Sequence, residues 1–374
     1  MRLAESRRFG IDLIDNLVFD RIENVGAILI LGDGGTGKSI LCKQFAYEGL
    51  RRGENCIYVA IDESREEIIE SMERFNWKVD RYLEDGSFKI LGVSPSELSN
   101  INALNLKLTE SFSRIGNGAA RVIIDSLTAL CSTVDRPTVI IDFIRLLGRK
   151  VKNFGSLCFY TLNRQGFDIR LIELIKDVSD GVIELKLAEE RGLLKHYLRI
   201  FKMKGVDHSR KWVPYTIDRH HGLRFYVPKV LLIGPPGAGK KTITRQLAGG
   251  NVKEEFRVSL GELELELILG EEGSNMARQI VSRDISGIIV VADSADPYGL
   301  QEAVKLLNDV YELDIPVVLL ANKQDLKDAI TPQNIRDEFS VPAGVHIIGT
   351  TALDGGGLEE SLKTLLKLII KVPV

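Results

Sequence analysis

The chain has 374 residues, 44% of them hydrophobic and 27% charged, with 49 Lys and Arg against 52 Asp and Glu for a net charge of −3. That length accommodates two or three domains with full cores, and the charge balance gives no global attraction to nucleic acid or to an anionic membrane. Cys42, Cys56, Cys131 and Cys158 lack metal-ligand spacing and three of them fall in apolar runs, so buried free thiols in a reducing, cytoplasmic compartment are expected. The first eight residues lack the apolar core of a signal peptide, and no apolar run is long enough to span a bilayer. Residues 362–374, apolar and lysine-bearing, read as a docked C-terminal helix in preference to a membrane-surface one.

The first informative stretch is Gly32-Asp-Gly-Gly-Thr-Gly-Lys38-Ser39. It follows an apolar β-rich run at 27–31 and opens a helical pattern at 39–50, the strand–loop–helix context of a phosphate-binding loop. Its nucleotide-binding set is Gly32, Gly34, Gly35, Thr36, Gly37, Lys38, Ser39 and Ile40. The glycines let backbone N–H groups crowd round a phosphate and the helix N-terminus adds partial positive charge. Lys38 neutralises the β- and γ-phosphates, and Ser39 ligates Mg²⁺. The competing reading is a glycine-rich turn.

A β-rich run at 55–61 ends in Asp62 and Glu63, and Ser64-Arg-Glu-Glu67 has capping-box form for a helix through about residue 76. Two carboxylates at the C-terminal end of a strand stand at the ligand edge of an open α/β sheet, where one can orient the water that attacks a γ-phosphate. They can equally serve only to favour the following helix N-terminus; spacing alone leaves the two readings level. Helical patterns follow at 96–115 and 139–153. Between them Arg121-Val-Ile-Ile-Asp125-Ser126 is an apolar strand ending in aspartate, so Asp125 is the candidate to hold the Mg²⁺ shell with Ser39. Thr161 and Asn163, ending the run at 156–161, stand either as sensors of the γ-phosphate or as a strand-end turn. Runs at 181–187, 197–203 and 212–217 alternate and predict an antiparallel extension of the sheet.

The loop, Ile-Asp-Glu-Ser, Asp-Ser-Leu-Thr-Ala-Leu and Lys202-Met-Lys204-Gly-Val-Asp-His208-Ser together resemble a KaiC-type domain of the RecA-like ATPases over roughly residues 8–222. The resemblance implies an ATP- and Mg²⁺-dependent site whose catalytic residues are Glu63, Asp62 and Lys38, with Asp62 where the family usually has Glu. It also implies that Lys202, Lys204 and His208 contact nucleotide bound by a neighbouring subunit, in a homo-oligomer for which a hexameric ring is expected. Lys204 stands for the family's Arg, a point charge without the planar fork. The Gly-Gly-Gly turn common before the loop is absent, and no second KaiC-type domain follows.

The boundary falls near 218–226, dividing the chain into domains 1–222 and 227–374. His220 and His221 have no complementary ligand set nearby, so no metal is assigned there. A second loop, Gly234-Pro-Pro-Gly237-Ala238-Gly239-Lys240, follows the apolar strand 229–233 and precedes helical pattern from Thr242. Asn322-Lys323-Gln-Asp325 ends the apolar run 315–320; the carboxylate of such a motif accepts two hydrogen bonds from guanine that adenine does not offer. Ala352 and Leu353 lie where a backbone N–H meets the guanine O6. With Val-Val-Ala-Asp-Ser-Ala-Asp, these residues resemble the Ras-like small GTPases of the ADP-ribosylation-factor group over roughly 228–371. The resemblance implies GTP or GDP as ligand at Gly234, Gly237, Ala238, Gly239, Lys240, Lys241, Thr242, Asn322, Lys323, Asp325, Ala352 and Leu353.

Lys241 occupies that family's magnesium-ligand position, Leu267 the aspartate of Asp-x-x-Gly, and no threonine lies between Thr244 and Gly270. Glu271 and Glu272 are poor substitutes for the catalytic Gln. GTP hydrolysis is therefore expected to be weak or absent. The whole reads as an α/β chain of two P-loop NTPase domains, RecA/KaiC-like then small-G-protein-like: a regulatory or signalling ATPase of archaeal, cytoplasmic type that meets an unidentified protein partner through the G-like domain. Two alternatives stand beside it, a RecA-like DNA-binding motor and a non-catalytic assembly or docking factor. Against the motor, the sequence has no basic stripe with interleaved aromatics.

Overall fold

A computed structural model of the chain describes residues 8–22, 25–94, 97, 100–115, 120–134, 136–190, 193–260, 263–270, 280 and 283–369. It forms two compact units, Met1–Tyr226 and Val227–Val374. Glu271, Glu272, the start of the helical pattern at 96 and the last five residues lie outside the described residues.

The first unit runs α1 (Asp12–Asp15), β1 (Ala27–Gly32), α2 (Lys38–Arg51), β2 (Asn55–Ala60), α3 (Arg65–Arg74), α4 (Asp80–Glu84), β3 (Phe88–Gly92), α5 (Ile101–Ile115) and β4 (Ala120–Asp125). It continues with α6 (Leu127–Thr133), α7 (Pro137–Asn153), β5 (Leu157–Asn163), α8 (Ile169–Val178), β6 (Gly181–Glu190), β7 (Leu193–Met203), β8 (Val213–Asp218) and β9 (Gly222–Phe225). The strands form one sheet in the order β3-β2-β4-β5-β1-β6-β7-β8-β9. Helices cover β1 on both faces: Ile28 and Ile30 pack with Phe45 and Phe159, while Leu29 and Leu31 pack with Phe143 and Leu147. Burial on two faces is why β1 and β4 are continuous apolar runs without alternation.

The sheet turns antiparallel one strand later than the alternation suggests. The α8 crossover returns β6 parallel to β1, with Leu31 opposite Glu184, and only the hairpin into β7 reverses direction. Because β7 runs back, Met203 lies opposite Gly181 at the start of β6, whereas Gly32 and the loop that follows it lie beside Leu185. That places the two ends of the domain's basic chemistry at opposite edges of one sheet.

The second unit runs β10 (Lys229–Ile233), α9 (Lys240–Leu247), β11 (Glu255–Leu260), β12 (Leu263–Leu269), β13 (Gly287–Asp293), α10 (Pro297–Tyr311), β14 (Val317–Asn322), α11 (Pro332–Glu338), β15 (His346–Thr350) and α12 (Leu358–Ile369). Its sheet order is β11-β12-β10-β13-β14-β15, parallel except for the edge strand β11. The C-terminal helix is docked: Leu362, Leu365, Leu366 and Ile369 are buried against β10 and β13 residues. Among the described residues no helix is long and apolar enough to cross a membrane. All four cysteines are buried and free.

Arg121 on β4 is a fully buried cation that ties the first unit together. Its guanidinium donates to both Glu54 oxygens at 3.1 and 2.8 Å and to the carbonyls of Phe45 and Phe9 at 2.8 and 2.5 Å. Gly49, inside α2, leaves room for it: a Cβ there would lie 2.3 Å from Arg121 Cδ. Alanine is the better helix former by about 1 kcal/mol, but overpacking of this kind costs about 1–3 kcal/mol. Gly49→Ala is therefore expected to lower the urea midpoint of the first unit. A raised midpoint would show that helix propensity outweighs the clash.

Candidate functional site

The first loop leaves the C-terminal end of β1 and closes into α2 at Gly37, whose φ of 79° only glycine adopts without strain. Lys38 is the first residue of α2, and its ammonium donates to the carbonyls of Gly32 and Asp33, both at 2.8 Å. Burial lowers the Lys38 pKa from its ordinary value, opposed by the charges of Asp125 and Asp33. The Asp125 carboxylate therefore lies within the field of the loop lysine. Thr36 is buried, with its hydroxyl on Asp33 O and its carbonyl accepting from the Tyr215 hydroxyl. Ser39 and Ile40 follow in the first turn of α2.

Asp125 ends β4, and flanking strands hold both its oxygens. Tyr58 on β2 donates to Oδ2 at 2.8 Å, and Thr161 on β5 donates to Oδ1 at 2.6 Å. Thr161 is fully buried, so its hydroxyl orients Asp125; Asn163, its neighbour in sequence terms, sits at the strand end beside Gly32. Burial raises the Tyr58 pKa well above the ordinary range, so the phenol stays a donor. Among the described residues no ion pair is formed by Asp125. A buried carboxylate with two hydroxyl donors and no ion pair among the described residues is a hard-oxygen ligand of the kind Mg²⁺ takes.

The two acidic residues after β2 diverge. Asp62 accepts from the Ser126 hydroxyl at 2.5 Å, just beyond Asp125. Glu63 is ion-paired to Lys43 on α2 at 2.7 Å, and Lys43 also donates to Ser71 on α3 at 2.9 Å. The expected capping box is present, with Ser64 and Glu67 bonded reciprocally at 3.2 and 2.8 Å, although α3 stops at Arg74. Sequence reasoning did not single out Tyr58, Ser126 or Lys43. Lys43 alone carried a local signal, as a lysine among the apolar positions Leu41, Cys42, Phe45 and Ala46.

Lys202 donates to the Lys176 and Asp177 carbonyls at the end of α8, at 2.9 and 2.8 Å, and Lys204 pairs with Asp180 at 3.6 Å. Both stand at the end of β7, beside the start of β6 and away from the chain's own loop. The His208 ring turns inward, with Nδ1 on the Val206 carbonyl at 2.9 Å and Nε2 buried without a partner. His221 binds Asp218 at 2.7 Å, and no group of His, Cys, Asp and Glu among the described residues is arranged to hold a metal.

In the second unit Gly234, Gly237 and Ala238 lead to Gly239, which has φ 103° and so little space that a Cβ would lie 2.3 Å from Asn322 Nδ2. Asn322 donates to the Ala238 carbonyl at 2.8 Å and accepts from the Ala352 N–H at 3.0 Å, tying the loop to two strand ends. Lys240 donates to the Gly234 and Pro235 carbonyls at 2.5 and 2.9 Å. Lys323 pairs with Asp293 at 2.5 Å, and Asp325 and Leu353 stand exposed. Lys241, Thr242 and Gly270 line a cavity of about 530 Å³.

Comparison with known proteins follows the same division. A family model described as "ATPase: KaiC" matches residues 8–230, and one described as "Arf: ADP-ribosylation factor family" matches 273–369. A UPF0273 protein of Pyrococcus furiosus is 32% identical over 243 residues, 60% of this chain and 95% of the relative. One from Methanocaldococcus jannaschii is 32% identical over 239 residues, covering 59% and 96%. The crystal structure of a KaiC-like protein from Pyrococcus horikoshii aligns with TM-score 0.52 and 25% identity over 59% of this chain and 99% of that one. The flagellar accessory protein FlaH of Methanocaldococcus jannaschii shares the fold, at TM-score 0.50 and 20% identity over 60% of this chain and 100% of its own.

Lys43 tests how the site is built. Lys43→Ala leaves a cavity and strips Glu63 and Ser71 of their shared cation, and is expected to cost about 3 kcal/mol of stability. Lys43→Met refills the volume and should recover more than half of that loss. Equal urea midpoints for wild type and Lys43→Ala would show that the ion pair is not structural.

Proposed function

The chain belongs to the KaiC ATPase family through residues 8–230, and from that premise we propose that its first unit binds ATP with Mg²⁺ and hydrolyses it by attack of water on the γ-phosphate. It is a nucleotide-binding P-loop protein in both units. The observation that carries the hydrolytic reading is that Lys38, Asp125, Asp62 and Glu63 all follow or end the C-terminal ends of β1, β4 and β2, in the parallel part of one sheet. Lys38 and the loop amides hold the phosphates and stabilise charge developing on them. Ser39 and Asp125 would hold Mg²⁺, which when bound supplies charge neutralisation at the phosphates.

Glu63, with Asp62, orients and deprotonates the water. Lys43 anchors the Glu63 carboxylate to the helix that carries the loop, so base and phosphate cradle move as one piece. Lys202 and Lys204 support assembly into a ring. They lie at the opposite end of β6 from their own loop, where a nucleotide within reach belongs to another copy. His208 keeps its Nε2 buried inside its own unit, so the contact to a neighbouring nucleotide falls first to the two lysines. The second unit binds guanine nucleotide as a sensing or docking module, and the protein acts as a cytoplasmic regulatory ATPase.

Lys38→Ala is expected to abolish ATP turnover; an unchanged rate would sink the assignment. Glu63→Gln should still bind ATP while hydrolysis falls on the order of a hundredfold. A larger loss from Asp62→Asn would move the base to Asp62. Light scattering with ATP present should report an oligomer, and a strict monomer at every concentration would return Lys202 and Lys204 to surface charge.

A further inference from the structure

The second loop keeps its phosphate cradle and loses its metal site. In the first unit the residue after the loop lysine is a hydroxyl, Ser39, and the site holds the Asp125 carboxylate. In the second unit the residue after Lys240 is Lys241, exposed at the mouth of the cavity of about 530 Å³. The opposite wall is β12. Leu267 lies opposite Val230 and is fully buried in the same core as Ala238 and Ile243. Gly270 follows with its N–H given to the Leu232 carbonyl at 2.9 Å, so the ladder already uses the group that would face a terminal phosphate. Asp293, the carboxylate ending β13, is paired with Lys323 at 2.5 Å. Beyond Lys240, the described lining thus offers the Lys241 ammonium and the Thr242 hydroxyl, but no carboxylate.

Mg²⁺ needs hard, preferably anionic oxygen ligands, and the added Lys241 ammonium repels it. A polyphosphate meets the reverse situation, since the Lys241 ammonium offsets one of its charges. The described residues do not fit the metal of a small G domain. We propose that the second unit binds a guanine nucleotide without Mg²⁺, with the Lys241 ammonium standing where the cation would be. The proposal rests on the guanine-site reading above. It follows that GDP and GTP bind alike, because no group in the described lining distinguishes a third phosphate. A ligand that favours neither of two states cannot switch between them. The second unit is then a constitutively loaded module whose occupancy follows total guanine nucleotide.

The test uses the full chain carrying Lys38→Ala, which silences the first loop, titrated with a fluorescent GDP in Mg²⁺ and in EDTA. The expected dissociation constants agree within about threefold, and fluorescent GTP gives the same value within that margin. Lys241→Ser in the same background should weaken GDP by about tenfold in EDTA and regain part of the loss when Mg²⁺ is added, because the serine restores a metal ligand. Weakening of the Lys241 chain by about tenfold or more in EDTA overturns the proposal, as does Lys241→Ser binding equally well in EDTA. Absence of GDP binding in both buffers removes the guanine-site reading itself, and the proposal with it.

Discussion

Everything in the first unit's site depends on holding one buried carboxylate and aiming it. Asp125 sits at the end of β4 with little solvent, and a bare carboxylate there would be costly. The sheet supplies its partners from either side: Tyr58 from β2 and Thr161 from β5, each a neutral hydroxyl. Because the donors are neutral, the negative charge is solvated without being cancelled. It remains available to a cation and is felt by Lys38. Strand order β2-β4-β5-β1 is what makes this possible, since it puts the carboxylate between its two donors, with only β5 between it and the loop strand.

The same economy of placement governs Asp62 and Glu63. They are adjacent in sequence, yet one is drawn to Ser126 beside Asp125 and the other to Lys43 on the P-loop helix. A buried lysine in the middle of α2 is unfavourable unless paired. Pairing it with the end of β2 joins helix, strand end and α3 at one point. The second unit has no counterpart of this arrangement among its described residues. Its loop is knitted to the strand ends by Asn322, an uncharged amide that satisfies Ala238 and Ala352 together. The two units share a loop at the end of a central parallel strand but differ in strand order and in the charges placed around that loop.

The sequence by itself determined the fold class and both phosphate loops, because glycine spacing, strand-end carboxylates and apolar runs are local consequences of backbone geometry and two-sided burial. It also determined the capping box at Ser64 and the loss of metal-linked groups at Lys241 and Leu267. Only the tertiary structure decided that Thr161 bonds Asp125, that Glu63 pairs with Lys43, and that the antiparallel part of the sheet begins at β7. Those depend on groups 20 to 67 residues apart in the chain that meet through strand register. Likewise the inward ring of His208 and the placement of Lys202 at the far edge follow from the reversal of β7. Side-chain identity alone states what a residue can bond, while partner choice is set by which strands the crossovers bring side by side.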